Sequence, residues 1–257
     1  MSFRFARVAK VATAVAGFLA SGLTHASIVI DNTRVVYRAA EAEATVRLTN
    51  SGRHPSLAQV WIDDGDATAS PASADAPFVV TPPIARIDPD KGQTLRIVYT
   101  GEPLPDDRES LFYLNVLEVP PRPTGEAAQG NLLQMAFRTR LKLFFRPASL
   151  PDAAAEAPTR VTWRVTGRAV DGDRGLTLEA TNPTPYHVTL IDISLAEPKH
   201  AAPAPHRVGG MLGPGASRQF RLEGVVRNGV DPAAGTRVRF GAINDQGGTW
   251  YGEASVQ

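Results

Sequence analysis

Three cations on alternate positions, Arg138, Arg140 and Lys142, sit inside a mainly apolar run, LQMAFRTRLKLFFRP at residues 133–147. Leu133, Met135 and Phe137 alternate with Gln134, Ala136 and Arg138, which is the period of a strand with one apolar face. The run turns fully apolar at Leu143, Phe144 and Phe145 and stops at Arg146-Pro147. A lysine embedded in so hydrophobic a strand is costly unless an anion meets it. The chemistry this pattern could do is to hold another polypeptide by the strand's edge, with a cation ready for a carboxylate.

Catalytic and metal-binding patterns are weak by comparison. His25 lies in the leader described below, and His54, His187, His200 and His206 show no zinc spacing and have no cysteine company. Asp88-Pro89-Asp90-Lys91-Gly92 and Asp171-Gly172-Asp173-Arg174-Gly175 look superficially like calcium loops. They lack the acid-Gly order at positions five and six, and their twelfth positions are Tyr99 and Asn182 instead of Glu, so they read as hairpin turns. There is neither a Gly-x-Ser-x-Gly elbow nor a phosphate-binding glycine loop. No enzymatic activity, metal or cofactor is expected.

The elements that must position the cationic strand follow an export leader. Arg4, Arg7 and Lys10 precede a short apolar stretch at 11–23, and Thr24-His25-Ala26 offers small residues where a signal peptidase reads. Cleavage is expected after Ala26, giving an exported chain that does not span a membrane, because no later apolar run reaches about 18 residues. The formal charge of +1 becomes −2 once the three leader cations are gone, with 24 Lys+Arg against 26 Asp+Glu. That balance gives no support to nucleic-acid binding or to general attraction to anionic membranes. With no cysteine, an oxidising compartment supplies no covalent staple, and the fold must rely on an apolar core.

Short strand-like runs recur at 28–37, 43–49, 57–62, 94–99 and 111–119, separated by turn clusters such as Asn50-Ser51-Gly52 and Asp63-Asp64-Gly65-Asp66. They resume at 160–166, 175–181, 187–195, 217–223, 236–243 and 249–255. The spacing predicts an all-β chain of two sandwich domains. Residues 27–147 form the first domain, the Ala- and Pro-rich 148–158 a linker, and 159–257 the second. Segment 197–215, rich in Pro, Gly and His, is expected to include a surface loop.

Several segments, in order, resemble the periplasmic pilus-assembly chaperones of Gram-negative bacteria, and the resemblance covers nearly the whole chain. They are Asp31-Asn32-Thr33-Arg34-Val35-Val36-Tyr37, Leu57-Ala58-Gln59-Val60-Trp61, the run from Pro77 to Ile87, and Asp107-Arg108-Glu109-Ser110-Leu111-Phe112-Tyr113 leading to Val119-Pro120-Pro121. Lys142-Leu143-Phe144-Phe145-Arg146-Pro147 follows, then Asn182-Pro183-Thr184-Pro185-Tyr186 and Ile243-Asn244-Asp245-Gln246-Gly247-Gly248.

The resemblance implies two immunoglobulin-like domains set as an L. The chaperone lends a strand to a pilus subunit that lacks its own last strand, and an outer-membrane usher later exchanges it. It implies that Arg34 and Lys142 bind the subunit's C-terminal carboxylate, that Leu133, Met135 and Phe137 are the donor-strand contacts, and that Glu109, Arg146 and Asp245 form an ion network joining the domains. The short 122–130 segment points to the family's short-loop subgroup. The chain departs from many members in having no second-domain disulfide. An uncovered apolar edge also invites capping by a second copy of the chain. A secreted sandwich-fold binding module, such as an adhesin or carbohydrate binder, is the alternative.

One difficulty is parity. Leu133, Met135 and Phe137 are odd and Lys142 is even, so on a regular strand they face opposite sides. If both engage one partner along a shared face, a one-residue β-bulge is expected between Phe137 and Lys142.

Overall fold

A computed structural model of the chain describes residues 27–122, 134–168, 175–196, 208–222 and 236–257. The leader, Leu133, His200, His206, most of the 122–130 segment and the Asp171–Arg174 part of the second acidic turn lie outside those residues.

Nine strands build the first sandwich: β1 (Ile28–Ile30), β2 (Arg34–Arg38), β3 (Ala44–Asn50), β4 (Ser56–Asp63), β5 (Phe78–Thr81), β6 (Ile84–Ile87), β7 (Gly92–Tyr99), β8 (Ser110–Val119) and β9 (Phe137–Arg146). One sheet has the order β1-β3-β7-β5, the other β2-β9-β8-β4-β6. Alternation explains the burial: on β3, Ala44, Val46 and Leu48 point inward while Thr45 and Arg47 point out. Val46, Leu48, Leu95, Ile97, Leu114 and Leu143 make the centre of the core. An aromatic cluster of Tyr37, Phe78, Tyr99, Phe112 and Phe145 closes one end, with Tyr99 and Phe145 ring centres 4.6 Å apart.

The apolar run at 28–37 is two strands in different sheets. Ile28–Ile30 pairs antiparallel with β3, and after Asp31-Asn32-Thr33 the chain crosses to the other sheet, where Arg34–Arg38 runs parallel to β9. Three consecutive turn-forming polar residues with no core position to fill allow that switch. It delivers Arg34 to the first rung of the β2–β9 ladder, directly opposite Lys142.

The second sandwich packs β10 (Thr162–Arg168), β11 (Leu176–Thr181) and β14 (Ser217–Leu222) against β13 (Gly210–Leu212), β12 (Val188–Ala196), β15 (Arg237–Ile243) and β16 (Thr249–Ser255). Its own core is built around Trp163, Leu178, Leu190, Ile193 and Phe240. Within the expected 197–215 loop, residues 210–212 are a strand paired to β12. The end of the expected linker is not irregular: Ala154–Arg160 forms a 3-10 turn that runs past residue 158, and its Ala157 is buried in the second core.

Candidate functional site

The cationic strand is β9, and its two edges differ. On one side it pairs with β8 without interruption, from Phe137 opposite Glu118 to Phe145 opposite Ser110. On the other it pairs with β2 only from Lys142 to Arg146. Among the described residues no strand covers that second edge along 137–141. Half of β9 is therefore an open edge carrying unpaired backbone donors and acceptors.

The unbroken ladder also removes the expected bulge. Residues 137–145 alternate strictly, with Leu141, Leu143 and Phe145 on the core face and Arg138, Arg140 and Lys142 on the other. Met135 precedes the ladder, and Phe137 shares the parity of the core residues. Yet Met135 is 50% exposed and Phe137 42% exposed, and neither is among the buried core residues. Phe137 begins the strand on the core-face parity, Met135 lies just ahead of it, and neither packs in the domain's core cluster.

The opposite face is electrostatically unequal along its length. Asp63, at the end of β4, and Asn115, on β8, have fully buried side chains. Asp63 accepts from Asn115 Nδ2 (2.7 Å), from the Gly65 N–H (2.8 Å) and from the Arg140 guanidinium. Asn115 Oδ1 accepts from Arg138 Nε (2.9 Å) and Nη2 (2.7 Å). Arg138 also lies over the Trp61 ring and Arg140 over the Tyr113 ring, at 4.7 and 3.6 Å. Burial raises the Asp63 carboxyl, but the hydrogen bonds from Arg140, Asn115 and Gly65 outweigh it and hold it below its usual range. Sequence reasoning missed this network. The signal available was the alternation of Arg138 and Arg140 with a complementary acid on another strand.

The next cation along, Lys142, has no such partner. It is half-buried and makes no hydrogen bond or ion pair among the described residues. Burial, then repulsion from Arg34, lowers its ammonium below the ordinary lysine value. Arg34 is only 8% exposed. Its Nη1 donates to the Ile243 carbonyl of the second sandwich (3.1 Å), while its buried Nε has no partner. Burial lowers the Arg34 guanidinium too, with the Asp245 charge opposing. The structure thus brings Arg34 and Lys142 together, as partners on one rung whose side chains share a face, with a surplus of positive charge. Arg34 also lines a cleft of about 400 Å³ between the sandwiches, together with Phe144, Arg146, Tyr186, His187 and Asp245.

Glu109, Arg146 and Asp245 also meet. Arg146 Nε donates to Glu109 Oε1 (2.7 Å), and Nη1 and Nη2 donate to the two Asp245 oxygens (2.9 and 3.2 Å). Burial opposes the Arg146 charge, but hydrogen bonding to Asp245 and the two acidic charges outweigh it and raise the guanidinium above its usual value. Glu109 further accepts the His187 N–H (2.8 Å), and its own N–H donates to the Pro185 carbonyl (2.9 Å), contacts the sequence did not reveal. Gly247, at φ +84, packs so closely on Thr33 that an added Cβ would lie 2.2 Å from its Oγ1. Among the described residues no group of acids and histidines could hold a metal, and no helix is long and apolar enough to cross a membrane.

Fold and site together define a two-sandwich binding protein with an open strand edge that ends at two under-compensated cations. Residues 27–151 match the family model described as pili and flagellar-assembly chaperone, PapD N-terminal domain, and 156–254 match the pili assembly chaperone PapD C-terminal domain. The chain belongs to the pilus-assembly chaperone family, which is not a family of enzymes. It is 42% identical to the chaperone protein FimB/FhaD of Bordetella pertussis, over 98% of each chain. Among solved structures it resembles the CupB2 chaperone of Pseudomonas aeruginosa, at 35% identity and TM-score 0.69 over 89% of this chain and 100% of that one. It also resembles the SafB chaperone of Salmonella enterica, solved in complex with SafA pilin, at 26% identity and TM-score 0.70 over 91% and 98%. The alternative of a secreted adhesin or carbohydrate-binding module gives way to this membership.

Proposed function

We propose that the exported chain, cleaved after Ala26, works in the periplasm by lending β9 to pilus subunits as a missing strand and then yields them to an outer-membrane usher. The observation that carries this reading is the half-open edge of β9. Backbone groups along 137–141 face outward, Met135 and Phe137 are exposed beside them, and the edge ends at Lys142 and Arg34. Strand addition there satisfies main-chain hydrogen bonds and places alternate side chains in the partner's pockets. The pilin complex of the SafB relative supports the same partner class.

A carboxylate seated at Arg34 and Lys142 sets the direction. The partner chain must end beside residue 142, so it runs parallel to β9 and occupies the place β2 would take if it were longer. Edge addition also resolves the parity difficulty. A strand lying in the plane of the sheet can send its side chains and its terminus to different faces, so Met135 and Phe137 act on one face and the cations on the other. Arg34 offers a planar fork and Lys142 a point charge. Leu133 would extend the donor series. The Glu109–Arg146–Asp245 network holds the two sandwiches at the angle that keeps Arg34 in place. In the free protein, a second copy caps the open edge.

The test is coexpression with a cognate subunit. Lys142→Ala should abolish subunit accumulation in the periplasm while the purified variant melts close to the parent, because among the described residues Lys142 makes no hydrogen bond or ion pair. Arg34→Ala should do the same with a small cost from the lost bond to Ile243. A Lys142→Ala protein that still protects subunits would sink the anchor assignment.

A further inference from the structure

Glu118, near the end of β8, is a buried carboxylate whose hydrogen-bond donors are all neutral groups. Its Oε2 accepts the Ile28 N–H (3.0 Å), and its Oε1 accepts the Ser27 N–H (3.2 Å), the Ser56 hydroxyl (3.1 Å) and the Ser27 hydroxyl. Among the described residues it has no ion-pair partner. Each of the other buried acids among the described residues of the first sandwich is matched by a cation: Asp63 by Arg140, and Glu109 by Arg146. A buried carboxylate with hydrogen bonds but no counter-charge is costly.

We infer that Glu118 is the receptor for the chain's own α-ammonium, created when the leader is removed. The inference rests on cleavage after Ala26. Hydrolysis of the Ala26–Ser27 peptide bond by water leaves a carboxylate on Ala26 and an amine on Ser27, which takes up a proton near neutral pH. The Ser27 nitrogen already lies at hydrogen-bonding distance from Glu118, so the only change is that a neutral amide donor becomes a cation. The pair ties the start of the mature chain, which enters one sheet through β1, to the end of β8 in the other. Glu118 is also the ladder partner of Phe137, the first residue of the open donor edge. The precursor lacks this charge pair, so its first sandwich reaches full stability only after processing, when the chain has crossed the membrane and can no longer need to stay unfolded.

The experiment compares two forms of the full mature chain, one beginning at Ser27 and one retaining Ala26, which moves the ammonium about 3.8 Å along the chain. Intact mass of the protein recovered from the periplasm reports the natural start. The expected start is Ser27, and the form with Ala26 should melt at least about 3 °C lower. With Glu118→Gln, which keeps the shape of the side chain but not its charge, the two forms should melt alike. Acetylating the Ser27 amine, which leaves Glu118 untouched, should lower the melting point as the added alanine does. Equal melting of the two forms with Glu118 intact, a gap that survives Glu118→Gln, or no effect of acetylation overturns the inference and leaves strand donation standing. A natural start other than Ser27 overturns the cleavage assignment and the inference together.

Discussion

Replacing Arg146 by alanine strips Glu109 of both guanidinium donors and leaves one face of a buried carboxylate bare. The side chains of Arg146 and Glu109 are 8% and 2% exposed, whereas that of Asp245 is 32% exposed, so the two halves of the network are unequal. Breaking the buried Arg146–Glu109 half should cost about 3–5 kcal/mol. The Asp245 half, open to solvent, should contribute about 0.5 kcal/mol. Glu109 keeps only its bonds from His187, which soften the loss without cancelling it. A second change, Glu109→Gln, removes the stranded charge, so the double variant should recover at least about 2 kcal/mol relative to additivity. Urea denaturation of the parent, both single variants and the double variant measures this coupling. Small-angle scattering on Arg146→Ala should show a wider distribution of interdomain angles, since Glu109 and Asp245 would then face each other unscreened. A coupling near zero with an unchanged scattering profile would refute the reasoning, because the network would then be neither buried in effect nor orienting.

Met135→Glu should weaken subunit binding at least tenfold with a melting point within about 2 °C of the parent, since the side chain is half exposed; severe unfolding would mean that this face belongs to the core. Asp63→Asn should cost about 2–3 kcal/mol, less than a fully buried pair because Arg138 and Arg140 are each about a quarter exposed, and urea melts check it. The Asp63 carboxyl is depressed in the folded state, so its contribution is present above the ordinary carboxylate range and is lost as pH falls through the lowered value. Lys142 titrates below an ordinary lysine, so binding of a carboxylate should begin to weaken with rising pH earlier than an unperturbed lysine would allow, and Lys142→Arg should remove that early fall. Gly247→Ala should loosen the domain junction, because the left-handed backbone and the contact with Thr33 both exclude a Cβ; scattering reads the change.

Period-two runs such as 43–49 and 94–99 were readable because alternation is a local consequence of one-sided burial. The split of 28–37 between two sheets was not. Asp31-Asn32-Thr33 announces a turn, but which sheet each half joins depends on partners far along the chain. Lys142 stood out as a cation in an apolar strand, while its pairing with Arg34 needed the family resemblance, since a parallel rung leaves no mark in either segment. Arg138 and Arg140 are part of the same cationic run, and nothing in that run announces that Asp63 and Asn115, on other strands, lie beneath them. The expected bulge came from assuming one contact face. An added strand lies in the plane of the sheet, and strict alternation serves it without distortion.

The central claim is that a free chain terminus docks at Arg34 and Lys142 while its strand pairs with the open half of β9. The most direct measurement is binding of a synthetic peptide carrying a subunit's C-terminal strand, with its last residue either a free carboxylate or an amide. The two peptides are identical along the strand, so they differ only at the cations. The account predicts at least about tenfold weaker binding of the amide, roughly 1.4 kcal/mol, with the difference abolished by Lys142→Ala. Equal binding of the two peptides to the parent protein would contradict it.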